Sequence, residues 1–180
     1  MRLLNPDPPA RRIETEAGIS SALLDAALAL PDRAAAERLE RDAATLHLLD
    51  PRTIKGEDAR TVFWINVYNA LRLQVFHRDP PVTSVPMSLS RFRDYGWRIG
   101  EHEYSLSIIH HGLLRGNRRP LWSWTPPLLS TWLPPRAQLA SGDPRLQAAP
   151  AFFDPRIHFA LAFGAIGSPS VRPFSPENLE

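Results

Sequence analysis

The stretch from Arg60 to Phe76, reading RTVFWINVYNALRLQVF, constrains this chain more than any other. It is apolar on nearly every side and contains neither proline nor glycine. It is too long for an ordinary strand and too short and polar to cross a bilayer. A helix that is apolar all round is a buried one. The reading is therefore a central helix over 57–78 with the rest of the chain packed around it. Three polar residues interrupt it: Asn66, Asn69 and Gln74. At about 100° per residue, Asn66, Asn69 and His77 fall within roughly 80° of arc, which makes a polar stripe. A buried amide without a partner costs about 1–3 kcal/mol. The fold must therefore supply partners for this stripe.

A chain of 180 residues is long enough for one domain with a single core. No run of apolar residues reaches membrane-spanning length, and the N-terminus lacks the apolar segment of a secretory signal. With no cysteine, there is no disulfide, thiolate metal site or thiol nucleophile. These features point to the cytoplasm and away from a membrane. The net charge is only +2, with Lys55 the sole lysine, which does not suggest a nucleic-acid partner. Nineteen prolines cluster at segment boundaries, where they predict long, stiff loops.

Residues 1–56 read as a lead-in: a Pro-rich irregular start over 1–18, a helix over 20–30, and a second over 33–49. Asp32 is its N-cap, Leu39, Leu46 and Leu49 form its inner face, and Glu37 pairs with Arg41. Residues 57–180 read as the main globular unit. Trp97 to Tyr104 predicts a hairpin turning at Gly100-Glu101. Ser105 caps a helix over 106–115, closed by Gly116. Residues 117–142 form a Pro/Trp-rich insertion. Residues 156–163 read as a further strand, and Ser175-Pro176-Glu177-Asn178 has the form of a helix start two residues before the chain's end. Asp-Pro-Arg recurs at 50, 143 and 154 as punctuation rather than as a duplicated unit. The expected fold is α+β, a helix-rich domain with a small antiparallel sheet built from 97–104 and 156–163. Its expected core comprises Leu46, Phe63, Trp64, Ile65, Tyr68, Leu71, Leu106, Ile109, Leu113, Phe159 and Leu161.

None of the six histidines sits at metal-ligand spacing, so no metal or other cofactor is expected. His110 and His111 are adjacent, so on an ordinary helix they point about 100° apart and at most one faces a shared site. Gly112 beside them signals a close approach by another segment or a ligand. His158 alternates away from Ile157 and Phe159 on the expected strand and is flanked by Asp154 and Arg156. Gly164 to Ser170 is rich in small residues and could expose Ser168 or backbone amides, but it matches no nucleophile elbow or phosphate loop. Arg115, Arg118 and Arg119 beside Trp122, Trp124 and Trp132 could form a stacking or partner-binding surface.

Three segments together resemble an uncharacterised family, number five-four-seven in the domain-of-unknown-function series. They are FWINVYNAL over 63–71, YSLSIIHHGLLR over 104–115, and DPRIHFALAFGA over 154–165 running on to Val171-Arg172. The resemblance covers roughly 57–180. It implies a site gathering Asn66, Asn69, His111, Asp154, Arg156 and His158. It also exposes departures. The family usually has histidine at Gln74, glutamate at His110, cysteine at Phe163 and a second cysteine at Ser168. The family's mixture of cysteine, histidine, glutamate and asparagine is similar in residue types to papain-type thiol hydrolases. The expected activity is thus that of a thiol-free member binding a small molecule or a partner in a polar pocket. In that pocket Asn66, Asn69, Gln74, Asp154 and Arg156 contact the ligand. The alternative is an enzyme of acyl transfer, hydrolysis or cyclisation. It would use His110, His111 or His158 as general base and Ser168 as a weak nucleophile. A second alternative is a protein-interaction module working through the Trp/Pro segment 117–136.

Overall fold

The structure is a computed structural model that describes residues 1–7, 16–80, 92–118, 137–161 and 170–179. Its axis is helix α3, Glu57–Arg78, with Glu57 and Asp58 in its first turn and His77 and Arg78 in its last. These charges complement the partial charges at the two helix ends. Phe63, Trp64, Ile65, Tyr68 and Leu71 are all essentially inaccessible to solvent. Because this helix is apolar all round, it has to be covered on all sides. Helix α1, Glu16–Leu28, covers one flank with Leu23 and Leu24. Helix α2, Arg33–Thr45, follows with Leu39 and Ala43. Asp32 caps α2 as expected, its carboxylate accepting the Ala35 amide at 2.9 Å. Beyond α2 the chain tightens into a 3-10 turn over Leu46–Leu48, and Leu46 and Leu49 remain in the core. Glu37 pairs with Arg33 at 3.0 Å, one turn before it rather than one turn after.

The hairpin forms where expected, as β2 Tyr95–Ile99 and β3 His102–Ser105 in antiparallel register. Gly100 at its turn has φ +57°. A Cβ on Gly100 would lie 2.7 Å from the Leu49 carbonyl oxygen, while the Gly100 amide donates to the Leu46 carbonyl at 2.9 Å. The turn is thus pressed onto the 46–49 turn, and only glycine fits. The third strand is β1, Arg2–Leu3, which pairs parallel to β2. The sheet is therefore mixed, ordered β1-β2-β3, and the lead-in is not irregular at its start. What docks it is Asn5. Its carboxamide donates to the Arg98 carbonyl at 2.8 Å and accepts the Arg98 amide at 2.9 Å.

The expected strand over 156–163 is not one. Residues Ile157–Ala160 form a short helix, α4. Helical spacing turns Ile157, Ala160 and Leu161 inward and leaves Phe159 80% exposed. Phe159 is thus the one member of the expected core that lies outside it. The determinant is local. Asp154 accepts the Arg156 amide at 2.9 Å, while the Arg156 guanidinium folds back onto both carboxylate oxygens of Asp154, which starts a helical turn. The same device opens the 3-10 turns Pro51–Thr53 and Pro144–Ala148, with Asp50 holding Arg52 and Asp143 holding Arg145. In each, proline sits at the first helical position, where its missing N–H costs nothing. The recurrent Asp-Pro-Arg is therefore a self-capping turn used three times.

Candidate functional site

The expected helix over 106–115 is for most of its length a π-helix, Ile108–Leu114. Ser105 caps its entry, accepting the Ile108 amide at 3.2 Å. The wide turn is visible in the Arg115 amide, which donates to the His110 carbonyl five residues back at 3.0 Å. Such turns recur at functional sites. This one overturns the expectation that the adjacent histidines diverge: the His110 and His111 rings lie 4.3 Å apart, tilted by 34°. Gly112 makes room behind them. A Cβ there would meet the Leu139 side chain at 3.1 Å. Leu139 is held in place by Asn117, which accepts the Leu139 amide at 2.7 Å and donates to its carbonyl at 2.9 Å.

Facing the pair from α3 is Tyr68, whose ring centroid is 5.9 Å from that of His110. Tyr68 is completely buried, and its hydroxyl has no hydrogen-bond partner among the described residues. The same holds for His111 Nδ1. Burial pushes the Tyr68 phenol up, so it stays protonated. Burial, with the neighbouring His111, Arg115 and His158 acting in the same direction, pushes His110 down to about 2. Burial together with Arg115 and Arg93 pushes His111 down to about 4. Both imidazoles are therefore neutral at physiological pH. One turn beyond Tyr68 lies Arg72, buried, with its guanidinium carbon 3.5 Å from the Phe76 ring centroid and 5.0 Å from that of Phe92.

The remaining expected site residues take other positions. Asn66 is fully buried and closes a two-bond clasp on the backbone of Phe174. Its Nδ2 donates to the Phe174 carbonyl at 2.8 Å, and its Oδ1 accepts the Phe174 amide at 3.0 Å. Asn69 Nδ2 donates to the Ala160 carbonyl at 2.9 Å, near the end of α4. Gln74 Oε1 accepts the Trp97 indole N–H at 2.9 Å. Asp154 and Arg156 bind each other, and Arg156 also lies 3.6 Å from Asp58 in the first turn of α3. At 1.5 Å per residue, Asp58 and Gln74 are about 24 Å apart along α3. The Arg156 and Gln74 ends of the expected set therefore do not meet in one small pocket. His77 is exposed, so the polar stripe ends before it. His158 is also exposed, on the outer face of α4, edge-on to Phe153 at 5.8 Å. Ser168, Phe163, Arg119 and the tryptophans Trp122, Trp124 and Trp132 lie outside the described residues.

Two site features went unread in the sequence. Tyr68 was assigned to the core for its ring alone, yet a hydroxyl on an all-apolar helix needs an acceptor as much as an asparagine does. Arg72 stands inside the same stretch, where a charged residue with apolar neighbours is as conspicuous as the amides. A separate open groove of about 260 Å³ lies beside the Gly100 turn, lined in part by His47, Arg52, His102 and Tyr104. Among the described residues no cluster of histidine, aspartate and glutamate converges as a metal ion would require, and no helix is long and apolar enough to cross a membrane.

The model of a family described as protein of unknown function, DUF547, matches residues 51–180, and the chain belongs to that family. No curated protein and no solved structure matches it.

Proposed function

We propose, taking membership of that family as the premise, that this chain is a thiol-free member. On this reading it holds a small molecule, or a polar group of a partner, at Tyr68, His110 and His111. The observation that carries this reading is the concentration of buried polar atoms there. Tyr68 Oη and His111 Nδ1 have no partner among the described residues, and each such atom costs about 1–3 kcal/mol if left alone. Buried polar atoms without a partner call for an explanation, and a guest that completes the bonding beside the two neutral imidazoles supplies one. Asn69 and Asn66 act in this reading as positioning residues: they hold α4 and the 170–179 segment against α3 around the cluster. Asp154 and Arg156 act likewise, by starting α4.

Catalysis by a histidine base is the competing reading, favoured by the contact between the two rings. Their electrostatics weigh against it, since an efficient general base titrates near the working pH. A base near 4 or near 2 has little driving force at pH 7. The test is a broad esterase, amidase and acyl-transfer screen of the full chain alongside His111→Ala and Ser168→Ala. Ligand binding without chemistry predicts background rates in all three proteins. Robust turnover that either substitution removes would establish the enzyme reading instead.

A further inference from the structure

We propose that the groove beside the Gly100 turn is a second ligand site, independent of the first, which takes a small molecule carrying a protonated primary amine on an apolar body. Three segments form it, and the fold ties them to one another. The Gly100 amide donates to the Leu46 carbonyl at 2.9 Å, which presses the hairpin onto the 46–49 turn. On the other side, Arg145 Nη1 donates to the Glu103 carbonyl at 3.0 Å, which holds the Asp143 turn and its Pro144 beside β3. Leu49, Pro51, Ile99 and Pro144 supply the apolar lining, together with the ring of Tyr104. The volume of about 260 Å³ lies below the roughly 300–1,000 Å³ of sites for drug-sized ligands, so the groove suits a smaller body.

The polar lining selects the head group. His47 borders the groove from the 46–48 turn, and its Nε2 is buried without a hydrogen-bond partner. Burial, with Arg98 acting in the same direction and Asp7 against it, holds this imidazole below its usual range. It is therefore neutral at physiological pH and has one nitrogen able to accept. The ion pairs decide the sign of the guest. Arg52 binds Asp50 at 2.8 Å, Arg145 binds Asp143 at 2.6 Å and Arg98 binds Glu103 at 3.3 Å. Glu101 lines the groove as well and has no ion-pair partner among the described residues, since Arg52, the cation it acts on, is held by Asp50. The unmatched charge is negative, and a cation complements it. A cation bearing N–H groups also gives His47 Nε2 the donor it lacks, which a quaternary ammonium does not. Hydrogen bonds from an ionised donor are roughly twice as strong as those between neutral groups. An alcohol of the same shape therefore binds less well.

The test is titration of the full chain with benzylamine, benzyltrimethylammonium, benzyl alcohol and benzoate, which share one apolar body and differ in head group. The titrations are run at pH 8, where ordinary histidines such as the groove's second imidazole, His102, are uncharged. Ionic strength is kept constant with sodium chloride. The backbone amide resonances of Gly100 and Glu101 and the ring resonances of His47 are followed by NMR. The expected result is saturable shifts with benzylamine, about tenfold tighter than with each of the other three. Glu101→Gln should weaken benzylamine about tenfold and leave benzyl alcohol unchanged, a split that damage to the fold would not produce. His47→Phe should weaken benzylamine by a similar factor. Equal or tighter binding of any of the other three compounds would overturn the amine assignment. So would the absence of saturable shifts with benzylamine, or benzylamine binding that neither substitution weakens.

Discussion

Asn66 is the position where a structural amide and a ligand-contacting amide make opposite predictions. In the structure both of its polar atoms are engaged by one residue, Phe174, 108 positions away in the chain. Asn66→Ala removes both bonds and strands the Phe174 amide and carbonyl in a place where Phe174 is only 8% exposed. At about 1–3 kcal/mol for each buried group left unpaired, plus the void left by the carboxamide, the expected loss is about 3–5 kcal/mol. That is a large share of the 5–15 kcal/mol typical of a domain. It is bounded by the alternative of releasing the 170–179 segment altogether, which would expose Phe174 and Leu179 at roughly 1.5–3 kcal/mol each. Urea unfolding should therefore show a lowered midpoint, and limited proteolysis should cut the C-terminal segment before the rest. Asn66→Asp sharpens the test. It keeps the acceptor for the Phe174 amide but sets a second oxygen against the Phe174 carbonyl, so its carboxyl group must be protonated to bond there. Its native state then holds a proton that its unfolded state releases, and its deficit relative to the parent should shrink as pH falls from 8 to 5. The reasoning would be refuted if Asn66→Ala cost less than about 1 kcal/mol while the 170–179 segment stayed as protected as before.

Acid should weaken the fold well above the carboxylate range. The His110 pKa in the fold lies far below the unfolded value of 6.5, so the unfolded chain takes up protons that the native one refuses. Stability is then full above pH 6.5 and falls below it, by about 2 kcal/mol between pH 7 and 5 for His110 alone. His111 adds to this down to about pH 4, where it begins to protonate in place. Denaturation curves of His110→Gln should show a visibly flatter pH profile, and an unchanged slope would count against the burial of this pair. Gly100→Ala forces an alanine to φ +57° with its Cβ against the Leu49 carbonyl, and should cost about 2–4 kcal/mol by thermal unfolding. The repeated turns rank themselves by exposure. Asp143→Ala, at the pair with side chains 22% and 15% exposed, should destabilise by about 1–2 kcal/mol. Asp50→Ala, at the pair with both side chains 42% exposed, should destabilise measurably less, and the reverse order would show that the cap rather than the ion pair dominates.

The parts of this protein that were legible in its sequence are those whose causes are local. An apolar helix with no solvent face must be buried whatever surrounds it, so α3 and its core residues followed from composition and period. Asp32 and the Gly100 turn could likewise be placed from a few neighbouring residues. Where local reading failed, it failed through a competing local cause or a distant one. Residues 157–161 alternate well enough to pass for a strand. A self-capping Asp154-Pro155-Arg156 turn nonetheless starts a helix there, which leaves both Phe159 and His158 exposed on its outer face. The π-turn that brings those two rings together depends on nothing in their spacing.

What only the tertiary structure decided is where each buried amide finds its partner. Asn5 takes Arg98, Asn66 takes Phe174 and Gln74 takes Trp97, contacts spanning 93, 108 and 23 residues. A carboxamide bonds equally well to any backbone N–H and C=O pair of suitable geometry. By itself, the sequence determined that these groups were buried in a helix-centred core and had to be satisfied. Which strand, segment or indole satisfied them, and that Tyr68 Oη and His111 Nδ1 find no partner among the described residues, depended on how the long-range packing closed.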